Sequence, residues 1–309
     1  MSLIFCSRTD DPDEWREAFA EHMPDLEFRV WPDIGDEKDV EVALVWDPME
    51  AQLLRFPNLK LIASLGAGVD HLLAATILPD GVPMTRFVDD NLTQGMREWV
   101  LLYTLYCHRR VPEYLAYQRA QDWHRLAAPL AYDHRVGIMG LGVLGTASAA
   151  ALQHIGYQVN GWSRREKTLP GVTSFAGADE LDDFLAASEI LVCLLPLTPE
   201  TEGIIDRRLL NALPEGAALI NGARGGLVVE ADLITALESG RLAHAVLDVT
   251  REEPLPAADP LWRAPNITIT PHVASVTNAT SGARLVAENI RRVRAGDAPH
   301  HLVDPEAGY

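Results

Sequence analysis

Short apolar runs alternate with amphipathic segments along almost the whole chain. An apolar run of four to eight residues is typical of a buried strand, and apolar residues three or four positions apart are typical of a helix. Alternation of the two predicts an α/β fold with parallel sheets. The runs that we predict as strands in the first part are LIFCS, EFRVW, VALVW, LKLIASLG and PMTRFV.

The pattern predicts helices between these strands and a second set of strands after them. The early helices are DPDEWREAFAEHM and MEAQLLRF, and a long helical segment follows from Thr93 to Trp123, with a break or kink at Pro112. The second set of strands is RVGIMG, YQVNGW, EILVCLL, AALINGA, HAVLDV and ITIT. The helices of the second part are GTASAAALQHI, ADELDDFLAAS, EADLITALESG and GARLVAENIRRVRAG. We therefore expect two α/β units that divide near residue 98.

A glycine-rich turn follows the first strand of the second set. Gly140, Gly142 and Gly145 form the pattern G-x-G-x-x-G between the strand RVGIM and an alanine-rich helix. In dinucleotide-binding folds these glycines allow a tight turn, close approach of the backbone to a pyrophosphate, and close packing of helix on strand. Amides at the start of the helix then face the anion. The context predicts a dinucleotide site.

The next strand ends without the acid that usually follows it. An Asp or Glu at this point binds the ribose 2′-hydroxyl of NAD. Here YQVNGW is followed by Ser163, Arg164 and Arg165. Arginine presents a planar fork that suits a phosphate, and serine adds a hydroxyl donor. We predict NADPH rather than NADH, with Arg164 as the main discriminator; two solvated arginines are the alternative.

Three ionisable residues follow later strands of the same predicted sheet. Arg224 comes after AALINGA, Glu253 lies in the loop after HAVLDV, and His272 follows ITIT. Parallel strands all end at one edge of the sheet, so we expect these side chains beside the cofactor. Arginine binds carboxylates, and histidine exchanges protons near neutral pH. Each residue alone has a structural alternative, but together they suggest a hydride-transfer site.

Composition restricts the possible partners. The formal net charge of −18 opposes binding to nucleic acid or to anionic membranes. The three cysteines, Cys6, Cys107 and Cys193, show no metal-ligand spacing and are expected to be buried thiols. The N-terminal stretch turns acidic too early for a signal peptide, and no apolar run is long enough to span a bilayer. The expected location is the cytoplasm, and no metal site is predicted.

The motifs of the second part resemble those of the D-isomer-specific 2-hydroxyacid dehydrogenase family. They are VGIMGLGVLG, LLPLTPETEGII, LINGARGGLVVEADLITALESGRL, AVLDVTREEPLP and TPHVAS. ALVWDP, LGAGVDHLL, GWSRR, PLWRAPNITITPHVASVT and the terminal GY resemble the subgroup that reduces glyoxylate and hydroxypyruvate. The resemblance implies two Rossmann-like or flavodoxin-like parallel-sheet domains with the active site in a cleft between them. The substrate-binding domain would comprise 1–98 plus 281–309, and the NADPH-binding domain 99–280.

The resemblance also implies roles for individual residues. Arg224 would bind the carboxylate and carbonyl of a 2-oxo acid, His272 would protonate the carbonyl oxygen, and Glu253 would pair with His272. Substrate contacts are also expected from Trp46 and from the amides of Ala67 and Gly68, although Trp46 could instead be a core residue. The expected cofactor contacts are Gly140, Leu141, Gly142, Val143, Leu144, Gly145, Ser163, Arg164, Arg165, Leu195, Pro196, Ala223 and Asp248.

The expected reaction is the NADPH-dependent reduction of glyoxylate to glycolate and of hydroxypyruvate to D-glycerate. Reduction of bulkier 2-oxo acids such as phenylpyruvate is the alternative within the class. A nucleotide-sensing binding protein is an alternative from another class, and an NAD-linked dehydrogenase would require an acid in place of Ser163 and Arg164. The resemblance further implies a homodimer that pairs through the cofactor domains near Thr93–Trp123.

Overall fold

The computed structural model describes residues 2–46, 50–74, 78–127, 129–305 and 308. The chain divides into two units, Met1–Leu92 with Val276–Tyr309, and Thr93–Ser275. Each unit contains a parallel sheet with helices, which confirms the predicted fold class of two α/β domains. Asp47 and Pro48 of ALVWDP, Met49 of MEAQLLRF and Tyr309 of the terminal GY lie outside the described residues.

Within the described residues the chain forms twelve strands and nine α-helices. The strands are β1 (Ser2–Cys6), β2 (Glu27–Val30), β3 (Val40–Val45), β4 (Leu61–Ser64), β5 (Met84–Thr85), β6 (Arg135–Met139), β7 (Gln158–Ser163), β8 (Val172–Ala176), β9 (Ile190–Cys193), β10 (Ala217–Asn221), β11 (Leu242–Leu247) and β12 (Ile267–Ile269). The helices are α1 (Pro12–His22), α2 (Asp70–Ala74), α3 (Asp90–His108), α4 (Val111–Arg119), α5 (Val143–Ile155), α6 (Leu181–Ala186), α7 (Arg207–Ala212), α8 (Glu230–Glu238) and α9 (Ala279–Ala295).

The sheet of the first unit has the strand order β2-β1-β3-β4-β5, with every pair parallel. Chain order reverses between β1 and β3, so the unit has the flavodoxin-like arrangement. The C-terminal part of the chain returns to this unit, because the Val303 amide donates to Met84 and the Arg86 amide donates to His301. Helix α9 packs on α1, where Gly282 leaves room for the indole of Trp15.

The sheet of the second unit has the order β12-β11-β10-β9-β6-β7-β8 and is also parallel throughout. Chain order reverses between β6 and β9, which is the position where ligands bind in folds of this kind. Strands β9 and β10 are buried along their whole length. Their buried apolar side chains fix the register, and the polar residues that follow them lie at the carboxyl edge.

Several predicted elements differ in detail from the observed ones. The long helical segment begins at Asp90 rather than Thr93 and ends at Arg119 rather than Trp123. Its break lies at Arg110, which has a φ of 56° and places Pro112 in the first turn of α4. The segment Glu50–Arg55 is a 3-10 helix. Strand β8 and helices α2 and α7 were not predicted, because β8 is partly exposed and lacks a continuous apolar run, and the two helices are short.

Within the part of the chain that the structure describes, no helix is both long enough and apolar enough to cross a membrane. Burial raises the pKa of the Cys193 thiol in β9 and of the Cys107 thiol in α3, each to about 12. Neither thiol is therefore ionised near neutral pH.

Candidate active site

The predicted phosphate loop joins β6 to α5, and its glycines are required by close contacts. Gly140 has a φ of +104°, and a Cβ there would lie 2.6 Å from the carbonyl oxygen of Leu194. A Cβ at Gly145 would lie 1.8 Å from the carbonyl oxygen of Gly140. Larger residues at either position would therefore push the loop away from β9 or α5 away from the loop.

The remaining residues of the loop leave an open, uncapped helix start. A Cβ at Gly142 would meet no atom within 4 Å, and no side chain caps α5 at this position. The first amides of a helix have no partner within the helix, so they fit a phosphate group in the space beside Gly142. Leu141 is buried, Leu144 is half-buried, and Val143 is exposed at the start of the helix.

The turn after β7 presents two exposed arginines, as the sequence predicts. Arg164 and Arg165 are exposed, whereas Ser163 is buried and its hydroxyl donates to the carbonyl oxygen of Arg165 at 2.7 Å. This bond holds the turn, and the contact of Ser163 with a cofactor stays a prediction. The pKa of Glu200 is lowered by the Thr198 hydroxyl, by its own backbone and by the charge of Arg164.

Asp248 connects the end of β11 to the segment that contains His272. It is 2% exposed and accepts hydrogen bonds from the Thr270 hydroxyl at 2.5 Å, the Val273 amide at 2.9 Å and the Ala274 amide at 2.7 Å. Its backbone carbonyl also accepts a bond from the amide of His272 at 2.7 Å. Three donors compensate for burial of the carboxylate, so Asp248 acts as an anchor for this segment.

The anchored segment holds His272 in an unusual backbone conformation. Its φ is 55°, a left-handed value that is uncommon for residues other than glycine and needs support from the surrounding structure. Nδ1 of the imidazole lies 2.8 Å from a carboxylate oxygen of Glu253. The other oxygen of Glu253 accepts the Thr250 amide at 3.0 Å. The carboxylate therefore orients the ring and fixes Nδ1 as the protonated nitrogen.

The charges around Glu253 keep its carboxylate ionised. Burial alone would raise the pKa of Glu253, but the hydrogen bond and charge of His272, the Thr250 amide and the charge of Arg224 together lower it. The structure thus brings Arg224, Glu253 and His272 together at the carboxyl edge of the second sheet, as their positions after three strands predict.

Arg224 is positioned by a buried asparagine at the end of β10. The side chain of Asn221, which is 0% exposed, donates to the carbonyl of Arg224 at 2.9 Å and accepts the amide of Ala223 at 3.1 Å. The next residue is fixed by a close contact, because a Cβ at Gly225 would lie 1.9 Å from the carbonyl carbon of Thr250. Ala223 packs against the core, so the backbone of Arg224 lies in a rigid turn.

Two further predicted cofactor residues follow β9. The side chain of Leu195 is buried in the core of the second unit. The carbonyl of Pro196 accepts a bond from the Thr201 hydroxyl at 2.7 Å. Leu195 therefore has only backbone groups to offer a ligand, while Pro196 begins the loop that contains Glu200.

The predicted substrate residues of the first unit lie together at the end of its own sheet. The loop after β4 contains Ala67 and Gly68, whose amides donate to no other group among the described residues. Trp46, after β3, lies against this loop, because a Cβ at Gly66 would be 2.3 Å from the indole. The imidazole of His71 packs on the same indole, with ring centroids 4.5 Å apart. Trp46 is half-buried, so it is not a core residue.

Three residues that the sequence analysis overlooked take part in these arrangements. Thr270 binds Asp248, Asn221 supports Arg224, and the Lys167 ammonium donates to the carbonyl of Leu141 at 2.6 Å. A polar residue at the end of an apolar strand is the signal that could have identified Asn221 and Thr270. Lys167 follows the two arginines by two residues, but nothing in its spacing predicts the contact with Leu141.

Comparison with known proteins identifies the family. A model of the NAD binding domain of the D-isomer specific 2-hydroxyacid dehydrogenases matches residues 101–274. A glyoxylate/hydroxypyruvate reductase A from Serratia proteamaculans is 41% identical, over 100% of both chains. The chain belongs to the D-isomer specific 2-hydroxyacid dehydrogenase family. The predicted family and the predicted enzyme class, a 2-hydroxyacid dehydrogenase, are confirmed.

Solved structures of family members have the same fold. A D-isomer specific 2-hydroxyacid dehydrogenase from Xanthobacter autotrophicus Py2, in complex with NADPH and MES, is 45% identical with a TM-score of 0.96 and covers 100% of this chain and 99% of its own. An NADPH-dependent glyoxylate/hydroxypyruvate reductase from Sinorhizobium meliloti, in complex with NADP and sulfate, is 38% identical with a TM-score of 0.93 and covers 100% of both chains.

The contact between Thr270 and Asp248 should matter for turnover of a 2-oxo acid. Thr270→Val keeps the shape of the side chain but removes one of three donors to a buried carboxylate, so the backbone of His272 loses support. We expect kcat to fall about tenfold, while the dissociation constant of NADPH changes little. Thr270→Ser should restore most of the rate. An unchanged kcat in the valine variant would show that Asp248 does not position His272 through this hydroxyl.

Proposed function

We propose that this enzyme reduces small 2-oxo acids with NADPH, converting glyoxylate to glycolate and hydroxypyruvate to D-glycerate. The observation that carries the proposal is the pair of His272 and Glu253, anchored by Asp248 at the same sheet edge as the phosphate loop. The names of the Serratia and Sinorhizobium relatives support these two substrates. The complexes of the relatives with NADPH and NADP support the cofactor.

The residues that would hold NADPH are those of the loop and of the turn after β7. Amides beside Gly142 would face the pyrophosphate, and Arg164 and Arg165 would bind the 2′-phosphate. Strand β7 ends in Ser163, so it lacks the terminal Asp or Glu that would repel that phosphate. When bound, NADPH supplies a hydride to the carbonyl carbon of the substrate.

The proton comes from His272 in this proposal. Nδ1 is bonded to Glu253, so Nε2 is the nitrogen that would donate to the carbonyl oxygen as the alcohol forms. Glu253 accepts the hydrogen bond of Nδ1 and keeps the ring in one orientation during the transfer. Arg224 would bind the substrate carboxylate through two parallel hydrogen bonds. One hydride and one proton added to the carbonyl group give the 2-hydroxy acid.

The first unit would contribute to substrate binding through Trp46, Ala67 and Gly68. The amides of Ala67 and Gly68 are suited to a carboxylate, because no described group accepts their hydrogen bonds. The indole of Trp46 lies against the same loop, and in this proposal it limits the size of the side chain on the substrate. Glyoxylate and hydroxypyruvate would then be preferred to bulkier acids such as phenylpyruvate.

His272→Asn tests the proposed proton donor. Asparagine cannot act as a general acid near neutral pH, so kcat with glyoxylate should fall by about 10²- to 10⁴-fold. NADPH binding, measured by fluorescence titration, should remain near that of the wild type because His272 lies outside the phosphate loop. His154→Asn is the matched control, since His154 is exposed on α5 of the same unit. Near-normal turnover of the His272 variant would assign the proton to another group.

We also propose a homodimer that pairs through the second unit. Leu102, Tyr114 and Leu115 are exposed large apolar residues on α3 and α4, and Trp123 beyond α4 is fully exposed. Large apolar side chains exposed on neighbouring helices are suited to an interface between proteins. Light scattering should give twice the chain mass of 33.9 kDa. Trp123→Ser should weaken the dimer, and a wild-type chain that remains monomeric at micromolar concentration would exclude it.

A further inference from the structure

Lys167 joins the turn after β7 to the phosphate loop. Its ammonium donates to the carbonyl oxygen of Leu141 at 2.6 Å, and Leu141 lies between Gly140 and Gly142. The side chain of Leu141 in turn packs on β7, because a Cβ at Gly161 would lie 2.8 Å from its methyl groups. The ammonium is therefore held between the loop and the turn, at the carboxyl ends of β6 and β7.

The electrostatic surroundings of Lys167 suit an anion. An ammonium group has three donors, and the bond to Leu141 uses one of them. Among the described residues, Lys60 forms an ion pair with Glu41, whereas no carboxylate lies within 4 Å of the Lys167 ammonium. The chain has only three lysines among its 26 basic residues and a net charge of −18. A cation held beside a phosphate loop without a carboxylate partner attracts a negatively charged ligand.

The position of Lys167 along the chain indicates which phosphate of a dinucleotide it would bind. In doubly wound folds the pyrophosphate lies at the start of the first helix, whereas the ribose that carries the 2′ group lies at the end of the second strand. Lys167 belongs to the turn after that strand. The hydroxyl of Ser163 donates to the carbonyl of Arg165 and is uncharged in any case. Cationic side chains must then supply the charged donors.

We infer that Lys167 is a specificity-determining residue that binds the 2′-phosphate of NADPH together with Arg164. The inference rests on the proposed use of NADPH. It adds Lys167, which is not among the cofactor residues predicted from the sequence, to the binding site. Arginine supplies a planar fork, and lysine supplies a compact charge held in place by the carbonyl of Leu141. A 2′-phosphate would then lie between the arginine and the loop, while a 2′-hydroxyl would gain little from either cation.

Binding of two nucleotide fragments to the full chain tests this inference. The probe 2′,5′-ADP has the 2′-phosphate, and 5′-AMP lacks it. Calorimetric titration of Lys167→Met should show about tenfold or greater weakening for 2′,5′-ADP and little change for 5′-AMP. Arg164→Ala should give a similar selective loss, and Lys167→Arg should retain most of the affinity. Lys60→Met, in an exposed ion pair of the other unit, is the matched control and should bind both probes like the wild type.

The possible outcomes separate the inference from the proposed function. If Lys167→Met weakens both probes equally, the lysine is a brace of the phosphate loop and the inference is wrong. If it changes neither dissociation constant while the wild type prefers 2′,5′-ADP, the inference is also wrong but the use of NADPH stands. If the wild type itself binds 2′,5′-ADP no better than 5′-AMP, the proposed cofactor preference fails.

Discussion

A buried carboxylate, that of Asp248, holds the backbone of the candidate active site in place. It lies at the end of β11 and takes three hydrogen bonds from the segment after β12, while its backbone carbonyl takes a fourth from His272. Leaving such a carboxylate without donors in the core would be costly, so the segment is held where its amides and hydroxyl can reach it. His272 takes a left-handed conformation within that segment, and its imidazole is hydrogen-bonded to the carboxylate of Glu253.

The phosphate loop depends on a different constraint, the close approach of backbone to backbone. Gly140 and Gly145 leave no space for a side chain, whereas Gly142 borders open space. Tight packing on one side and an uncapped helix start on the other produce a rigid place for an anion. Because all seven strands of the second sheet are parallel, this loop and the anchored histidine emerge at the same edge.

Much of this arrangement could be predicted from the sequence because it follows from topology. Arg224, Glu253 and His272 each come after an apolar run, and parallel strands bring such residues to one edge. The glycine spacing likewise predicts the loop. The contacts between side chains could not be predicted in the same way. The bond from Thr270 to Asp248 joins residues 22 positions apart, and that from Lys167 to Leu141 joins residues 26 positions apart.

Local hydrogen bonding and short elements account for the other differences. The hydroxyl of Ser163 donates to a carbonyl two residues away, and the apolar pattern of the strand gives no signal of this local bond. Strand β8 lies at the edge of the sheet and is partly exposed, so its sequence lacks the apolar run of a buried strand. The left-handed conformation of His272 accompanies a hydrogen bond from its amide to the carbonyl of Asp248, a contact between separate segments that the sequence pattern does not predict.

The most direct test of the account is the rate at which the wild-type chain consumes reduced nicotinamide, followed by absorbance. Glyoxylate, hydroxypyruvate and phenylpyruvate would each be assayed with NADPH and with NADH. The account predicts the highest kcat/KM for NADPH with the two small acids, and a much lower value for phenylpyruvate or for NADH. Equal or better use of NADH would contradict the assignment of Arg164 and its neighbours, and faster reduction of phenylpyruvate would contradict the role given to Trp46.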